Sequence, residues 1–212
     1  MTRPVSPKPK PTVAIIGAGR LGQALAMALQ SSGYAIAALV ARRRQKAEKA
    51  AAFLKTRPGN GFDKRTRQTL ALGAKQLAEI PDADLVLITT PDDAIAETAQ
   101  DLSGLWTGQE QGTAFHTSGA LSSKALSPLA KQGWQTGSIH PLVSISEPVS
   151  GAKALRGAFF CIEGTRKAKL LAEAIVRDLD GQSFSIKPES KALYHAAAVM
   201  AAPHLTALVD LA

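Results

Sequence analysis

Residues Thr12 to Gly22 read T-V-A-I-I-G-A-G-R-L-G, and this stretch constrains the fold more than any other. Four apolar residues, Val13 to Ile16, make a buried strand. Gly17, Gly19 and Gly22 follow in G-x-G-x-x-G order and open an apolar helix. Gly17 permits the tight turn, Gly19 lets the backbone approach a pyrophosphate, and Gly22 lets the helix pack close on the strand. The helix N-terminus, through Arg20 and Leu21, faces the phosphates. A glycine motif that closes a strand and opens a helix near the N-terminus predicts a dinucleotide-binding unit.

The rest of the chain alternates strands and helices. Expected strands are 35–41, 69–72, 84–90, 113–116, 134–139, 158–163 and 182–186. Expected helices are 21–31, 43–55, 92–102, 122–131, 166–179 and about 189 to the end, with Pro203 kinking the last. Asp84 to Thr90 is an apolar run without alternation, which suits a parallel strand buried on both faces. The pattern implies an α/β fold: a doubly wound, mostly parallel sheet extended by additional strands, then the first long helix of an α-helical domain. Residues 1–11 read as a disordered, proline-rich basic tail, 12–187 as the dinucleotide-binding domain, and 188–212 as the start of a C-terminal domain. The final helix carries Leu193, Ala196, Ala197, Met200 and Leu208 near helical period and ends in an apolar segment. It is expected either to dock on a partner as a homodimer or to belong to a larger domain.

No apolar run reaches the roughly 18 residues of a membrane span, and no secretory signal core is visible, so no membrane partner is expected. The single cysteine, Cys161, lies in an apolar run and reads as a buried strand residue. No disulfide can form within the chain, which fits a cytoplasmic location. No metal site is expected.

The net charge of +8 is concentrated. Residues 42–67 hold ten Lys or Arg and two acids. Most of these charges read as a solvated helix face and a basic loop over 58–67. Nucleic acid is disfavoured as a partner, because few aromatics interleave and no nucleic-acid motif appears. The first members have a more specific use. An NAD site places an acid at the end of the second strand to bind the ribose hydroxyls. Here that strand ends V-A-R-R-R. Arg42 and Arg43 would attract a 2′-phosphate and bond it in a fork. The expected cofactor is therefore NADP (NADPH).

Four further motifs are T-T-P-D-D-A-I (89–95), H-T-S-G-A-L-S-S (116–123), G-S-I-H-P-L-V-S-I (137–145) and K-A-L-Y-H-A-A-A-V-M-A-A (191–202). With the glycine motif, they make the chain resemble the bacterial Rossmann-like NADP oxidoreductases that carry a C-terminal domain of unknown function. That family is related to pyrroline-5-carboxylate reductase and the β-hydroxyacid dehydrogenases. Its members usually continue for several tens of residues in a helical domain, and usually carry a polar residue where Pro203 stands. The resemblance implies an NADP-dependent oxidoreductase acting on a small-molecule carbonyl or imine, and a homodimer formed through the C-terminal helix.

Ligands of open α/β sheets bind beyond the carboxyl ends of the strands. Thr89, Thr90, Pro91 and Asp92 end one strand there and are expected to line the nicotinamide ribose. His116, Ser118 and Gly119 end the next. Ser118 is a candidate donor to the carboxamide or substrate, and His116 is either a site residue or satisfied by loop backbone. His140, in an X-Pro step, reads more readily as structural. Lys191 and His195 are four apart on one helical face. In β-hydroxyacid dehydrogenases a Lys, with an Asn four residues later, faces the nicotinamide. The resemblance puts Lys191 there, with His195 in place of the Asn. Either Lys191 supplies a proton, or it is solvent-exposed with His195 packed at the domain interface. Tyr194 is expected on another part of the helix. A non-catalytic NADP-binding protein, a sensor or subunit, is the alternative function.

Overall fold

A computed structural model describes residues 9–55, 68–106 and 112–201. Its backbone forms one eight-stranded sheet in the order β3-β2-β1-β4-β5-β6-β7-β8. The strands are β1 (Thr12–Ile16), β2 (Ala35–Ala41), β3 (Leu70–Gly73), β4 (Leu85–Ile88), β5 (Thr113–His116), β6 (Gln135–Pro141), β7 (Phe159–Gly164) and β8 (Gln182–Ser185). All neighbouring pairs are parallel except β6 with β7. The helices are α1 (Arg20–Ser31), α2 (Arg44–Lys55), α3 (Asp92–Leu105), α4 (Ser127–Lys131), α5 (Pro148–Ala154), α6 (Arg166–Asp178) and α7 (Lys191–Val199).

Side-chain alternation divides the core in two. Val13, Ile15, Ile36, Leu39, Leu85, Leu87, Phe115, Ile139, Phe160 and Ile162 point to the face covered by α1, α2 and α6. Ala14, Ile16, Ala38, Val40, Val86, Ile88 and Ala114 point to the face covered by α3 and α4. Burial of both faces explains why these strands read as unbroken apolar runs. The second face changes character beyond β5. There the register pairs His116 with Ser138, Ser138 with Glu163, and His140 with Cys161. A polar layer thus continues the apolar one, roofed by the loop after β5 and by α7.

Several boundaries differ from the sequence expectation. Helix α2 begins at Arg44, so Arg42 and Arg43 lie in the turn before it. The helix expected over 122–131 is a 3-10 turn (Ser123–Leu126) leading into α4. The helix expected from about 189 starts with a 3-10 turn at Pro188–Ser190. Helix α5 was not expected, because P-V-S-G-A-K-A carries a proline and a glycine and no apolar stripe. It is held by close packing on α1, where Gly151 meets Ala24. Within the expected tail, Lys10 is fixed: its Nζ donates to the Ser32 carbonyl at 2.7 Å and pairs with Asp178 at 2.7 Å. Residues 1–8, the 58–67 loop, Pro203 and Leu208 lie outside the described residues. No helix among the described residues is long and apolar enough to cross a membrane.

Candidate functional site

The strand order reverses direction between β1 and β4, and a cleft opens beyond their carboxyl ends. Its volume is about 1320 Å³. One end is the glycine turn. Gly17 has φ +115°, and a Cβ there would strike the Thr89 backbone. A Cβ on Gly22 would strike the Gly17 carbonyl. At Gly19 a Cβ would meet nothing nearer than 4.0 Å, so it would stand in the cleft. Gly19 caps α1 without a side chain, which leaves the first N–H groups of α1 free of a side-chain cap. Arg20 and Leu21 line the same end.

Thr89 and Thr90 differ in role. The Thr89 hydroxyl donates to the Gly17 carbonyl at 2.6 Å, so it braces the turn. Thr90 Oγ1 is buried in the cleft wall without a partner among the described residues. Asp92 opens α3, where the helix dipole favours a carboxylate.

Arg42 and Arg43 line the cleft at the end of β2, as do Lys46 and Lys49 from the first turns of α2. These lysines were read from sequence as solvated helix face. Lys46 and Lys49 stand three apart in α2 and so share a helix face, a spacing visible in the sequence. Arg44 is turned away and paired with Glu48 at 2.9 Å.

At the other end of the cleft, the loop after β5 is tightly bonded. Ser118 Oγ donates to Asp92 Oδ2 at 2.8 Å and accepts from the Ala120 and Leu121 amides at 3.1 and 2.9 Å. His116 is fully buried and does not line the cleft. Its Nδ1 accepts from the Ser118 amide at 3.2 Å, so Nε2 carries the proton and donates to the Ser122 carbonyl at 3.0 Å. Burial holds its pKa down at about 4. His116 therefore shapes the loop and stands outside the cleft wall, in keeping with the second of its two expected readings, a histidine satisfied by loop backbone.

Lys191 is not solvent-exposed. It is 1% exposed, absent from the cleft wall, and lies behind the Ser118 peptide. Its Nζ donates to the Ser118 carbonyl at 2.8 Å and to Ser138 Oγ at 3.1 Å. Burial lowers its pKa. Glu163, 2% exposed, anchors the same loop by accepting from Ser123 N at 2.7 Å and Oγ at 2.6 Å.

The groups that do reach this end of the cleft are His140 and His195. Their rings meet edge to face, with centroids 5.9 Å apart. Both close over Gly119. A Cβ there would lie 2.5 Å from His195 Nδ1 and 2.9 Å from His140 Nε2. His195 Nδ1 is buried with no partner among the described residues. His140 Nδ1 lies 2.9 Å from the Tyr194 hydroxyl, which fixes the ring and leaves Nε2 toward Gly119. Burial, then the field of Lys191, lowers the His140 pKa to about 4. Sequence reasoning gave His140 and Tyr194 lesser roles, because only the β6–α7 packing joins them. Pro141, Val143 and Ile145 complete the wall with apolar surface. Cys161 is buried beneath, and burial raises its pKa. Among the described residues, no group of three or more His, Cys, Asp or Glu could hold a metal ion.

The cleft fits a dinucleotide on three counts: an open cradle at Gly19, cations lining the end of β2, and polar atoms at Thr90 and His195 that have no partner among the described residues. Comparison with known proteins agrees with the fold. Residues 4–141 match the model of the Rossmann-like domain family. Residues 158–212 match that of a domain of unknown function, DUF2520. No curated protein matches the chain. A solved structure from Bacteroides fragilis, assigned as an NADP oxidoreductase, is 20% identical with a TM-score of 0.73, covering 95% of this chain and 70% of that one. Prephenate dehydrogenase from Aquifex aeolicus, in complex with hydroxyphenyl propionate and NAD+, is 19% identical with a TM-score of 0.67, covering 99% and 70%. A pyrroline-5-carboxylate reductase from Coxiella burnetii is 13% identical with a TM-score of 0.67, covering 94% and 67%. At these identities the likeness is one of fold.

Proposed function

The chain belongs to the Rossmann-like domain family, and on that premise we propose that it is an NADP-dependent oxidoreductase acting on a small carbonyl or imine. The observation that carries this reading is the continuity of one cleft from the glycine turn and the arginines of β2 to two histidines over Gly119. The N-terminus of α1 and the Gly17–Gly22 turn would hold the pyrophosphate. Arg42 and Arg43, with Lys46 and Lys49 behind them, would hold a 2′-phosphate. Thr90, Asp92 and Ser118 flank the nicotinamide end. When bound, the reduced dinucleotide supplies a hydride. His140 and His195 would stand beside the polar atom of the substrate. Lys191 keeps the Ser118 loop in place. The same reading sets a second copy of the chain against α7, where Leu193 and Met200 are 76% and 66% exposed.

The test is turnover. The full chain is mixed with NADPH and a panel of ketones, keto acids and cyclic imines, and NADPH consumption is followed. Gly19→Val is the control, since its side chain would fill the cradle. Consumption by the wild type and none by Gly19→Val is expected. NADPH binding without consumption of any panel member would favour the alternative, a non-catalytic NADP-binding protein.

A further inference from the structure

The loop that carries Gly119 is bonded to an acid on the cleft wall. Asp92 is exposed to the cleft at the start of α3. Ser118 occupies only its Oδ2, and among the described residues no donor reaches Oδ1. His195 Nδ1, also on the cleft wall, is a buried ring nitrogen without a partner among the described residues. The basic groups of the wall, Arg20, Arg42, Arg43, Lys46 and Lys49, belong to the glycine turn and to the β2–α2 end. Lys191 is close, but its ammonium is turned into the protein toward Ser118 O and Ser138 Oγ. The substrate end thus offers a carboxylate oxygen and an unpartnered ring nitrogen, among the described residues, beside an apolar wall of Pro141, Val143 and Ile145.

Resting on the oxidoreductase reading, we infer that the substrate is an imine bound as its iminium cation, with Asp92 as the residue that recognises the charge. A carboxylate stabilises a cation held close to it, and the effect grows as water is excluded. The chemistry balances without an acid from the protein. The iminium carbon accepts a hydride from the reduced dinucleotide, and the C=N π pair moves onto nitrogen. The products are a neutral amine and the oxidised dinucleotide. A ketone, in contrast, must gain a proton on oxygen as the hydride arrives. His140, held neutral down to about pH 4 by burial, is a poor source of that proton at neutral pH.

The experiment compares a matched pair on the NADPH-saturated full chain: the six-membered cyclic imine tetrahydropyridine and cyclohexanone. The amine product, piperidine, is titrated calorimetrically against NADP+-loaded protein, which reads binding without turnover. The imine is expected to exceed the ketone in kcat/KM by roughly 100-fold or more. Piperidine is expected to bind, and Asp92→Asn to weaken it about tenfold, or ~1.4 kcal/mol, while the variant stays folded and still binds NADPH. Equal or better use of the ketone overturns the inference. So does unchanged piperidine affinity in Asp92→Asn, or NADPH binding with neither imine turnover nor piperidine binding. Failure of the wild type to bind NADPH would instead overturn the oxidoreductase reading beneath it.

Discussion

Lys191 satisfies two acceptors from a fully buried position, the Ser118 carbonyl and Ser138 Oγ. Replacing it with methionine keeps the volume but strands both acceptors, at a cost of about 1–3 kcal/mol for buried groups left unpaired. Lys191→Met is therefore expected to lower the thermal midpoint while NADPH affinity changes little. A proton donor pointing into the cleft would give the opposite pattern, with turnover lost and the midpoint kept. Differential scanning calorimetry beside a turnover assay separates the two. The contrast also shows what sequence can carry at this scale. Gly17, Gly19 and Gly22 were legible because their constraints are local: one turn, one helix start, one close approach. Lys191 and His195 were legible as a same-face pair. Which of them looks into the cleft is set by the loop after β5 and by β6, more than fifty residues away for the Lys191–Ser138 bond.

At the scale of elements, β6 and α7 do most to build the substrate end. Strand β6 delivers Ser138 and His140 to the polar face, and α7 brings Lys191, Tyr194 and His195 down on them. The antiparallel β6–β7 pairing then places Cys161 and Glu163 in the same layer. An alternation of strands and helices does not reveal such a layer, because strand direction and order at the sheet edge depend on long-range pairing. Helix α5 escaped notice for a related reason: its sequence is weakly helical, and its packing on α1 stabilises it. Helix α7 also carries an exposed apolar residue at its most outward point, Leu193. If a second copy covers it, Leu193→Glu is expected to convert a dimer to a monomer in light scattering at high micromolar concentration. A wild type that is already monomeric there would remove the dimer from the account.

The whole molecule should respond to acid through buried His116 and half-buried His140. Burial holds His116 and His140 at about 4, against about 6.5 in an unfolded chain. Between those values the unfolded chain binds protons that the folded chain does not. Stability is then fully present above about pH 6.5 and falls as pH drops toward 4, by about 1.4 kcal/mol per pH unit for each group. Urea unfolding at a series of pH values checks this. A free energy of unfolding that is flat across the window would contradict the lowered pKa of both rings.

We propose that the cleft takes a phosphorylated nicotinamide dinucleotide through the arginines at the end of β2. Titrating NADPH and NADH into the wild type and into the Arg42→Ala, Arg43→Ala double variant tests it most directly. Charge-assisted bonds are worth about 1.5–3 kcal/mol each. The wild type is expected to prefer NADPH, and the double variant to lose at least roughly tenfold in NADPH affinity while NADH affinity moves little. Equal losses for the two cofactors, or a wild type indifferent between them, would contradict it.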